Sequence, residues 1–279
     1  MSGTLWPFRY RGQPLYGALL ALDESWPALV AERGYAPAAS ALLGQSLCAV
    51  GLLAGMAKRP PKLTLQLSAV AGVELLVAQS LRPGQLRGLI KPADLAAFTP
   101  GPQARLVMTL ESPGRSQAQQ SIVPMARDTL AAAMADYFDQ SEQLPTRFYL
   151  YADAQRAFGL VVQRVAGDDT PVDDALRVVE NWALRELPPQ PQDYLGVLLE
   201  ADIELLEPVQ PWALSCHCDS GTVSRMLLGL GVEDARALLA EQGQIEIECG
   251  YCGQPYRFDA AQVEQLFAAE QAPPEVPRH

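Results

Sequence analysis

The sequence predicts an α+β fold with an N-terminal sheet-and-helix core domain, a helical linker region and a small C-terminal cysteine-rich domain. Three observations predict it. Short strand-like segments and two helical segments occupy residues 1–165. The charge then changes, from 15 basic and 11 acidic side chains up to residue 165 to 6 basic and 21 acidic beyond it. Four of the five cysteines lie in the last quarter of the chain.

Composition excludes several classes of protein. The chain of 279 residues is 49% hydrophobic with a net charge of −11, which predicts packed cores and disfavours binding to nucleic acid by overall charge. The histidines in the sequence are His217, which lies between two cysteines, and His279. Neither is placed to act in a catalytic histidine pair or a hydrolytic triad, so we exclude both kinds of mechanism. The uncharged segment from Pro37 to Ala57 contains polar residues and glycines, which favour a buried helix over a membrane span. The N-terminus shows no signal-peptide pattern, so we expect a cytoplasmic protein without a membrane partner.

The core elements can be placed in chain order. Ala38 to Lys58 predicts a helix, and Lys62 to Ser68 alternates leucines with Thr64 and Gln66 as a half-buried strand does. Asp128 is a typical N-cap residue and predicts a helix through Asp139. Further strands are predicted at 73–78, 86–90, 105–110, 119–123, 147–151 and 158–165.

Residues 166–212 form the predicted linker region. It opens with GDDTPV at 167–172 and continues with a helix from Asp174 to Leu187, a proline-rich break and a short helix from Tyr194 to Leu199. A strand is predicted from Ile203 to Leu206. The apolar stripes of this region are too small to fold alone. We therefore expect the region to pack on another part of the chain and to be detachable.

The cysteines predict a metal site. Cys216-His217-Cys218 is followed by thirty residues and then by Cys249-Gly250-Tyr251-Cys252, a pattern typical of one tetrahedral Zn²⁺ ion with four thiolate ligands. His217, between two ligands, is expected to point away from the ion. Cys48 lies in the hydrophobic helix and is expected to be inert.

The small size of the predicted zinc domain makes its folding depend on the metal. The predicted zinc domain covers residues 213–267, followed by a flexible tail at 268–279. A domain this small rarely folds on its own core, whereas a structural zinc ion contributes about 10–16 kcal/mol of folding free energy. We therefore expect the domain to unfold without the metal. Thiolates are also the oxidisable form of cysteine, which permits a redox role.

Three segments resemble the redox-regulated heat-shock holdases, also called the 33-kDa chaperonin family. They are the zinc segment, which ends in EQGQIEIECGYCGQPYRFD at 241–259, the run DYFDQSEQLPTRFYL at 136–150, and AFGLVVQRV at 157–165. The last of these stands where the family has its final core strand. The similarity covers nearly the whole chain in order. From the residues alone, we expect 141–147 to have the structural role of capping a helix and starting a strand.

The resemblance implies a function and a mechanism. The chain would be an ATP-independent chaperone, not an enzyme, that is inactive while Cys216, Cys218, Cys249 and Cys252 bind zinc. Peroxide with unfolding stress, or hypochlorous acid, would form the disulfides Cys216–Cys218 and Cys249–Cys252 and release the metal. The linker would then detach and expose apolar surface that captures unfolding client proteins. Oxidised members of the family form homodimers.

The chain departs from the family pattern at two places. The turn at 68–72 retains one glycine, at Gly72, where relatives have a Gly-rich turn. The residues after Cys218 are Asp219-Ser220-Gly221-Thr222, where relatives begin a charged helix. We expect the fold to tolerate both changes.

Two other functions compete with the chaperone hypothesis. One is an interaction module with a constitutive structural zinc, associated with ribosomes or nucleic acid. The predicted zinc domain is not expected to bind the phosphates of a nucleic acid, because its arginines, Arg225, Arg236 and Arg257, are outnumbered by acidic residues. The other is a thiol–disulfide oxidoreductase using Cys249 and Cys252. That chemistry normally uses a Cys-x-x-Cys that opens a helix, whereas a strand is predicted after Cys252.

Overall fold

The chain divides into two compact units, Met1–Ser215 and Cys216–His279, which we call the core unit and the cysteine unit and describe separately. The structure is a computed structural model. It describes residues 3–22, 24–57, 62–92, 100–112, 114, 117–125, 127–168, 176, 202–207, 210–216 and 218–271.

The core unit is built on one large sheet. Its strands are β1 (Gly3–Tyr10), β2 (Leu15–Ala21), β3 (Lys62–Ser68), β4 (Leu75–Arg82), β5 (Gln85–Lys91), β6 (Arg105–Glu111), β7 (Gln119–Pro124), β8 (Thr146–Ala152), β9 (Ala157–Arg164), β10 (Ile203–Leu205) and β11 (Gln210–Leu214). The order is β7-β6-β3-β4-β5-β11-β1-β2-β9-β8, with β10 paired to β1. Neighbours are antiparallel except for β11 and β5, which run parallel. The predicted α+β class is confirmed.

A long apolar helix fills the inside of this sheet. Helix α1 (Ser25–Arg33) leads into α2 (Pro37–Met56), which packs against strands from both halves of the sheet. Among the described helices, α2 has the length and hydropathy of a membrane span, but 72% of its most apolar window is buried in the core. Gly51 lets β2 come close, since a Cβ there would lie 2.4 Å from Leu20. The expectation of a buried helix is confirmed.

In the half of the sheet formed by β1, β2, β8 and β9, both faces are apolar. The inner face joins α2 in the main core, with Leu5, Leu20 and Trp26 fully buried. The outer face carries a second cluster, which we call the outer cluster: Phe8, Tyr10, Leu15, Leu19, Ala21, Tyr149, Phe158, Leu160, Val162, Leu176 and Ile203. Its last two members belong to the 166–212 region. Strands with two buried faces read as continuous apolar runs, as LYGALLA in β2 does.

Strand β11 joins the two halves of the sheet. Gly3 and Thr4 of β1 pair with Trp212 and Pro211, while Gln85 of β5 pairs with Ala213. Trp212 is fully buried in the main core. The core therefore depends on a strand that lies immediately before the cysteines in sequence.

Several expectations for the core need correction. The sequence analysis assigned no strand to β1, β2 or β11 and no helix to α1. The cap of α3 (Leu130–Tyr137) is Thr129, whose hydroxyl accepts the N–H of Ala132, and not Asp128. Helix α3 continues as a π-helical turn, Phe138–Glu142. Thr64 is buried and not solvated, because Gln79 on β4 donates to its hydroxyl at 2.9 Å.

The 141–147 segment has the structural role that the sequence predicts. Gln143 ends the π-helical turn in the left-handed region, at φ 56°. Leu144 N–H then donates to the Phe138 carbonyl at 3.1 Å, and Arg147 pairs with Asp139 at 2.8 Å. Thr146 begins β8 with its hydroxyl bonded to the Leu144 carbonyl. The segment thus ends one element and starts the next.

The cysteine unit contains three helices and a hairpin within its described residues. They are α4 (Ser220–Leu230), α5 (Val232–Gln242), β12 (Ile245–Glu248), β13 (Pro255–Phe258) and α6 (Ala260–Gln271). Their buried side chains form one small cluster: Val223, Leu227, Ala235, Ile245, Phe258, Val263 and Phe267. The strand predicted after Cys252 is confirmed as β13. Of the predicted linker helices, 174–187 and 194–199, only Leu176 lies among the described residues.

Candidate metal centre

A tight turn places the second cysteine pair. Beyond Glu248 a tight turn joins β12 to β13, and in it the Cys249 N–H donates to the Gln254 carbonyl at 2.9 Å. Gly253 N–H donates to the Cys249 carbonyl at 2.8 Å. Gly253 has φ 75°, a conformation that side chains disfavour, so glycine is required to bring Cys252 back beside Cys249.

The start of α4 holds the first pair. Asp219 follows Cys218 directly and is the N-cap of α4, its carboxylate accepting the Thr222 N–H at 2.6 Å. Buried Val223 and Leu227 then anchor the helix to the small core. The segment Asp219 to Thr222, which departs from the family pattern, is therefore a sound helix start.

The four thiols converge. Cys216 Sγ lies 3.6 Å from Cys249 Sγ, and Cys218 Sγ lies 3.3 Å from Cys252 Sγ. All four sulfur atoms lie within 4.8 Å of one another, and each residue is partly buried. In a tetrahedral zinc site with Zn–S bonds of about 2.3 Å, neighbouring sulfurs are about 3.8 Å apart. The donor set and its spacing therefore suit a metal ion.

Electrostatics differ among the thiols. Burial opposes ionisation of Cys249, but backbone N–H groups of Cys252 and Tyr251 outweigh it and lower the pKa to about 7. Burial raises the pKa of Cys216 and of Cys252. The cluster thus holds one thiol with a lowered pKa, Cys249, beside two with a raised pKa, Cys216 and Cys252.

Sequence reasoning missed Tyr256. The neighbouring Cys218 sulfur raises the pKa of the Tyr256 hydroxyl to about 12. The signal that could have found it is strand alternation, since β12 and β13 pair Ile247 with Tyr256 just below the cysteine turn.

One of the two remaining candidates, Cys48, lies outside this centre. Cys48 is fully buried in α2, and burial raises the pKa of its thiol, which agrees with the expected inert role. His217 lies outside the described residues, so its expected orientation remains a prediction.

The three arginines described in the cysteine unit each have a partner within the unit. Arg236 forms a bidentate pair with Glu264 at 2.7 Å, and Arg257 pairs with Glu246 at 2.7 Å. Arg225 donates to the Thr222 hydroxyl at 3.0 Å. Among the described residues of this unit, such pairing disfavours a phosphate-binding surface.

Comparison with known proteins gives the fold and the cysteines a family context. A family model described as "Hsp33 protein" matches residues 4–259. The chain belongs to the Hsp33 family. The 33 kDa chaperonin of Nitrosococcus oceani is 34% identical over 283 residues, covering 98% of this chain and 97% of that protein. That of Pseudomonas putida is 31% identical over 278 residues, covering 94% and 92%.

The Hsp33 fold is also found in a solved structure. The crystal structure of the 33 kDa chaperonin of Thermotoga maritima superposes with a TM-score of 0.78 at 19% identity, covering 97% of this chain and 99% of that one. Hsp33 proteins are chaperones and not enzymes, so the resemblance noted in the sequence is confirmed at the level of the family. The four-cysteine cluster of this member could hold a metal ion.

Proposed function

We propose that this chain is a redox-regulated, ATP-independent holdase that prevents aggregation of unfolding proteins during oxidative stress. The observation that carries the proposal is the convergence of four cysteine sulfurs within 4.8 Å in a chain of the Hsp33 family. Such a cluster can exist in two chemical states, reduced with a metal or oxidised with disulfides. A switch needs two such states.

In the reduced state, Cys216, Cys218, Cys249 and Cys252 hold one Zn²⁺ ion. Four soft thiolates in a tetrahedral arrangement select zinc over oxygen-seeking cations such as Mg²⁺ and Ca²⁺. When bound, the ion supplies a cross-link between the start of α4 and the turn beyond β12. The cytoplasm keeps thiols reduced, so this is the resting state.

In the oxidised state, the same residues form two disulfides. Each pair of thiolates gives two electrons to one peroxide molecule, which takes up two protons from solvent and leaves as two molecules of water. We propose the pairs Cys216–Cys218 and Cys249–Cys252. Sulfurs joined in disulfides no longer serve as metal ligands, so oxidation releases the ion.

The client surface is proposed to be the outer cluster. Leu176 and Ile203 are 3% exposed each and pack there with aromatic residues of β1, β8 and β9. If the part of this region that carries Leu176 and Ile203 leaves while β11 stays in the sheet, Phe8, Phe158 and their neighbours become accessible. A contiguous apolar surface of this kind binds other chains. Oxidised chains are proposed to form homodimers through the same exposure of apolar surface.

The test is an aggregation assay. Light scattering of a thermally unfolding client is followed with reduced protein, with peroxide-treated protein and with the Cys249→Ser variant treated alike. We expect suppression by the oxidised wild type and not by the reduced wild type, whereas Cys249→Ser should give the same suppression with and without peroxide, because it lacks one thiol of the switch. Cys48→Ser is the matched control and should respond like the wild type, because Cys48 is fully buried in α2 and peroxide does not reach it.

Two results would separate the alternatives. Peptide mapping of the oxidised protein tests the disulfide pairs, and cross-pairs such as Cys216–Cys249 would contradict the pairing. Equal suppression by the reduced and oxidised wild type would contradict the switch and leave a structural metal site in a constitutive binding module.

A further inference from the structure

A cavity of about 700 Å³ lies in the core unit, between the C-terminal end of α2, strands of both halves of the sheet and the π-helical turn. Strands β3, β6 and β7 line it from one half, and β2 and β9 line it from the other. Sites for small molecules usually have about 300–1,000 Å³ and combine apolar walls with a few polar groups. The apolar part of this wall includes Leu53, Met56, Leu63, Met108, Leu110 and Phe138.

The polar groups of the wall form two hydrogen-bonded sets. In the first, Tyr137 donates its hydroxyl proton to the Glu142 carboxylate at 2.7 Å. Because that proton is used, the Ser121 hydroxyl is the donor in its 3.0 Å bond to the Tyr137 oxygen. In the second, the Tyr16 hydroxyl donates to the side-chain oxygen of Gln163. Each of these three hydroxyl groups has thus given its proton to a neighbour and can only accept a further hydrogen bond.

Glu142 adds a negative charge to this wall. It is the one charged side chain among the described residues that line the cavity. Its carboxylate accepts the Tyr137 hydroxyl and forms no ion pair with a lysine or arginine in the described part of the chain. Glu142 is also exposed, which places the charge at the opening of the cavity. A matching ligand therefore carries hydrogen-bond donors and a positive charge at one end and an apolar chain at the other.

We propose that this cavity binds small cationic amphiphiles, molecules that carry a primary ammonium group on an apolar chain. An ammonium group has three donors and no acceptor, which suits a wall of hydroxyl and carboxylate oxygens. Its place is beside Glu142, and the chain lies along Met56 and Met108, whose flexible side chains adapt to different apolar shapes. The inference is independent of the proposed function, because the cavity lies within the core unit and the four cysteines do not line it.

A purely apolar cavity is the competing account, and it would accept an apolar chain whatever group the chain carries. Three probes with the same chain length separate the two accounts: octylamine, 1-octanol and octanoate. At neutral pH their ends are positive, neutral and negative, since amines and carboxylic acids titrate far from pH 7.

The experiment is calorimetric titration of the full reduced chain with each probe. We expect octylamine to bind about tenfold more tightly than 1-octanol, the lower end of what one hydrogen bond to a charged group contributes. Octanoate should bind more weakly than both, because its carboxylate meets that of Glu142. Octanoate that binds as tightly as octylamine, or octylamine that does not bind, would overturn the proposal.

Glu142→Gln tests the role of the charge. The variant keeps an acceptor for Tyr137 and removes the negative charge, so octylamine and 1-octanol should bind alike within about twofold. The matched control is Glu32→Gln, which removes an exposed carboxylate from α1, a helix that does not line the cavity. It should keep the preference of the wild type for octylamine. A preference that survives in Glu142→Gln would overturn the role of Glu142.

Met56→Trp tests the location. Met56 lies partly buried at the end of α2, and a larger side chain there fills the cavity. We expect binding of octylamine and 1-octanol to be lost, with the circular dichroism spectrum of the wild type retained. Unchanged octylamine binding by this folded variant would place the site elsewhere and overturn the proposal. Glu142→Gln, at an exposed position, decides the question even where Met56→Trp does not fold.

Discussion

At the scale of single residues, the Asp153 side chain stabilises the turn between β8 and β9. Its carboxylate accepts the Tyr151 hydroxyl at 2.7 Å and the backbone N–H groups of Gln155 and Arg156 at 2.8 and 2.7 Å. Burial alone would raise the pKa of Asp153, but these donors lower it below the ordinary value. We expect Asp153→Ala to lower the free energy of unfolding by about 1 kcal/mol at neutral pH, a modest value because the carboxylate is partly solvent-screened.

The pH dependence of that effect has a defined sign. Because the folded pKa of Asp153 lies below the unfolded one, the stabilisation is complete above the ordinary aspartate pKa and is lost as the pH falls through the folded value. Urea unfolding of wild type and Asp153→Ala at several pH values measures this. The gap between them should close in acid, and a gap that stays constant with pH would contradict the assignment. Glu111→Ala, which breaks an exposed pair with Lys62, is the control.

Ala69 carries strain that a glycine would relieve. It is exposed and has φ 54°, in the left-handed region, within the turn after β3. The left-handed conformation costs an L-residue about 1–2 kcal/mol. Glycine avoids this cost, but it loses about 0.5–1 kcal/mol more backbone conformational entropy on folding. Ala69→Gly should therefore stabilise the core unit by about 0.5 kcal/mol in urea unfolding. A destabilised variant would show that the side chain of Ala69 has a favourable contact.

At the scale of elements, β11 makes the core depend on residues beyond the linker. Trp212 is fully buried, so Trp212→Ala should lower the free energy of unfolding by about 3–5 kcal/mol. Trp212→Phe should cost less, because the buried indole N–H has no hydrogen-bond partner among the described residues to lose. Denaturation followed by circular dichroism compares these variants with Leu205→Ala on β10, where the side chain is 39% exposed. Equal stability of all three would contradict the role of β11.

How far the sequence predicts the elements depends on where each one buries its side chains. β3 was predicted with its observed bounds, because its leucines alternate and face the core. β2 escaped notice because both of its faces are buried, which removes the alternation. β1 escaped because its buried side chains change face along the strand, with Leu5 in the main core and Phe8 in the outer cluster. β11 escaped because its five residues contain a proline and no periodic pattern. Such strands are recognised by their partners in the sheet, which lie far away in sequence.

The metal centre was predictable for a different reason. Its four ligands sit in two short local motifs, and the chemistry of thiolates restricts what such motifs bind. Tyr256 was not predictable in the same way, because its position beside Cys218 depends on the hairpin register and not on spacing. Likewise, Thr64 was expected to be solvated because strand alternation gives no information about a cross-strand partner such as Gln79.

At the scale of the whole molecule, the two units should respond differently to loss of the metal. The small core of the cysteine unit has seven buried side chains among the described residues, whereas bound zinc contributes about 10–16 kcal/mol. A strong chelator should therefore unfold residues 218–271 while the core unit keeps its protected strands. Hydrogen exchange followed by mass spectrometry resolves the two units in one sample. Retained protection in α4 and α5 after metal removal would contradict a folding role for the ion.

The central claim is that oxidation of the four cysteines turns chaperone activity on. The most direct test adds peroxide at elevated temperature and follows zinc release with a chromogenic chelator, while light scattering of a denaturing client is recorded in the same sample. The account predicts release of one zinc ion per chain together with suppressed scattering. Zinc that stays bound while scattering is unchanged would contradict it, and would reduce the four cysteines to a structural cross-link.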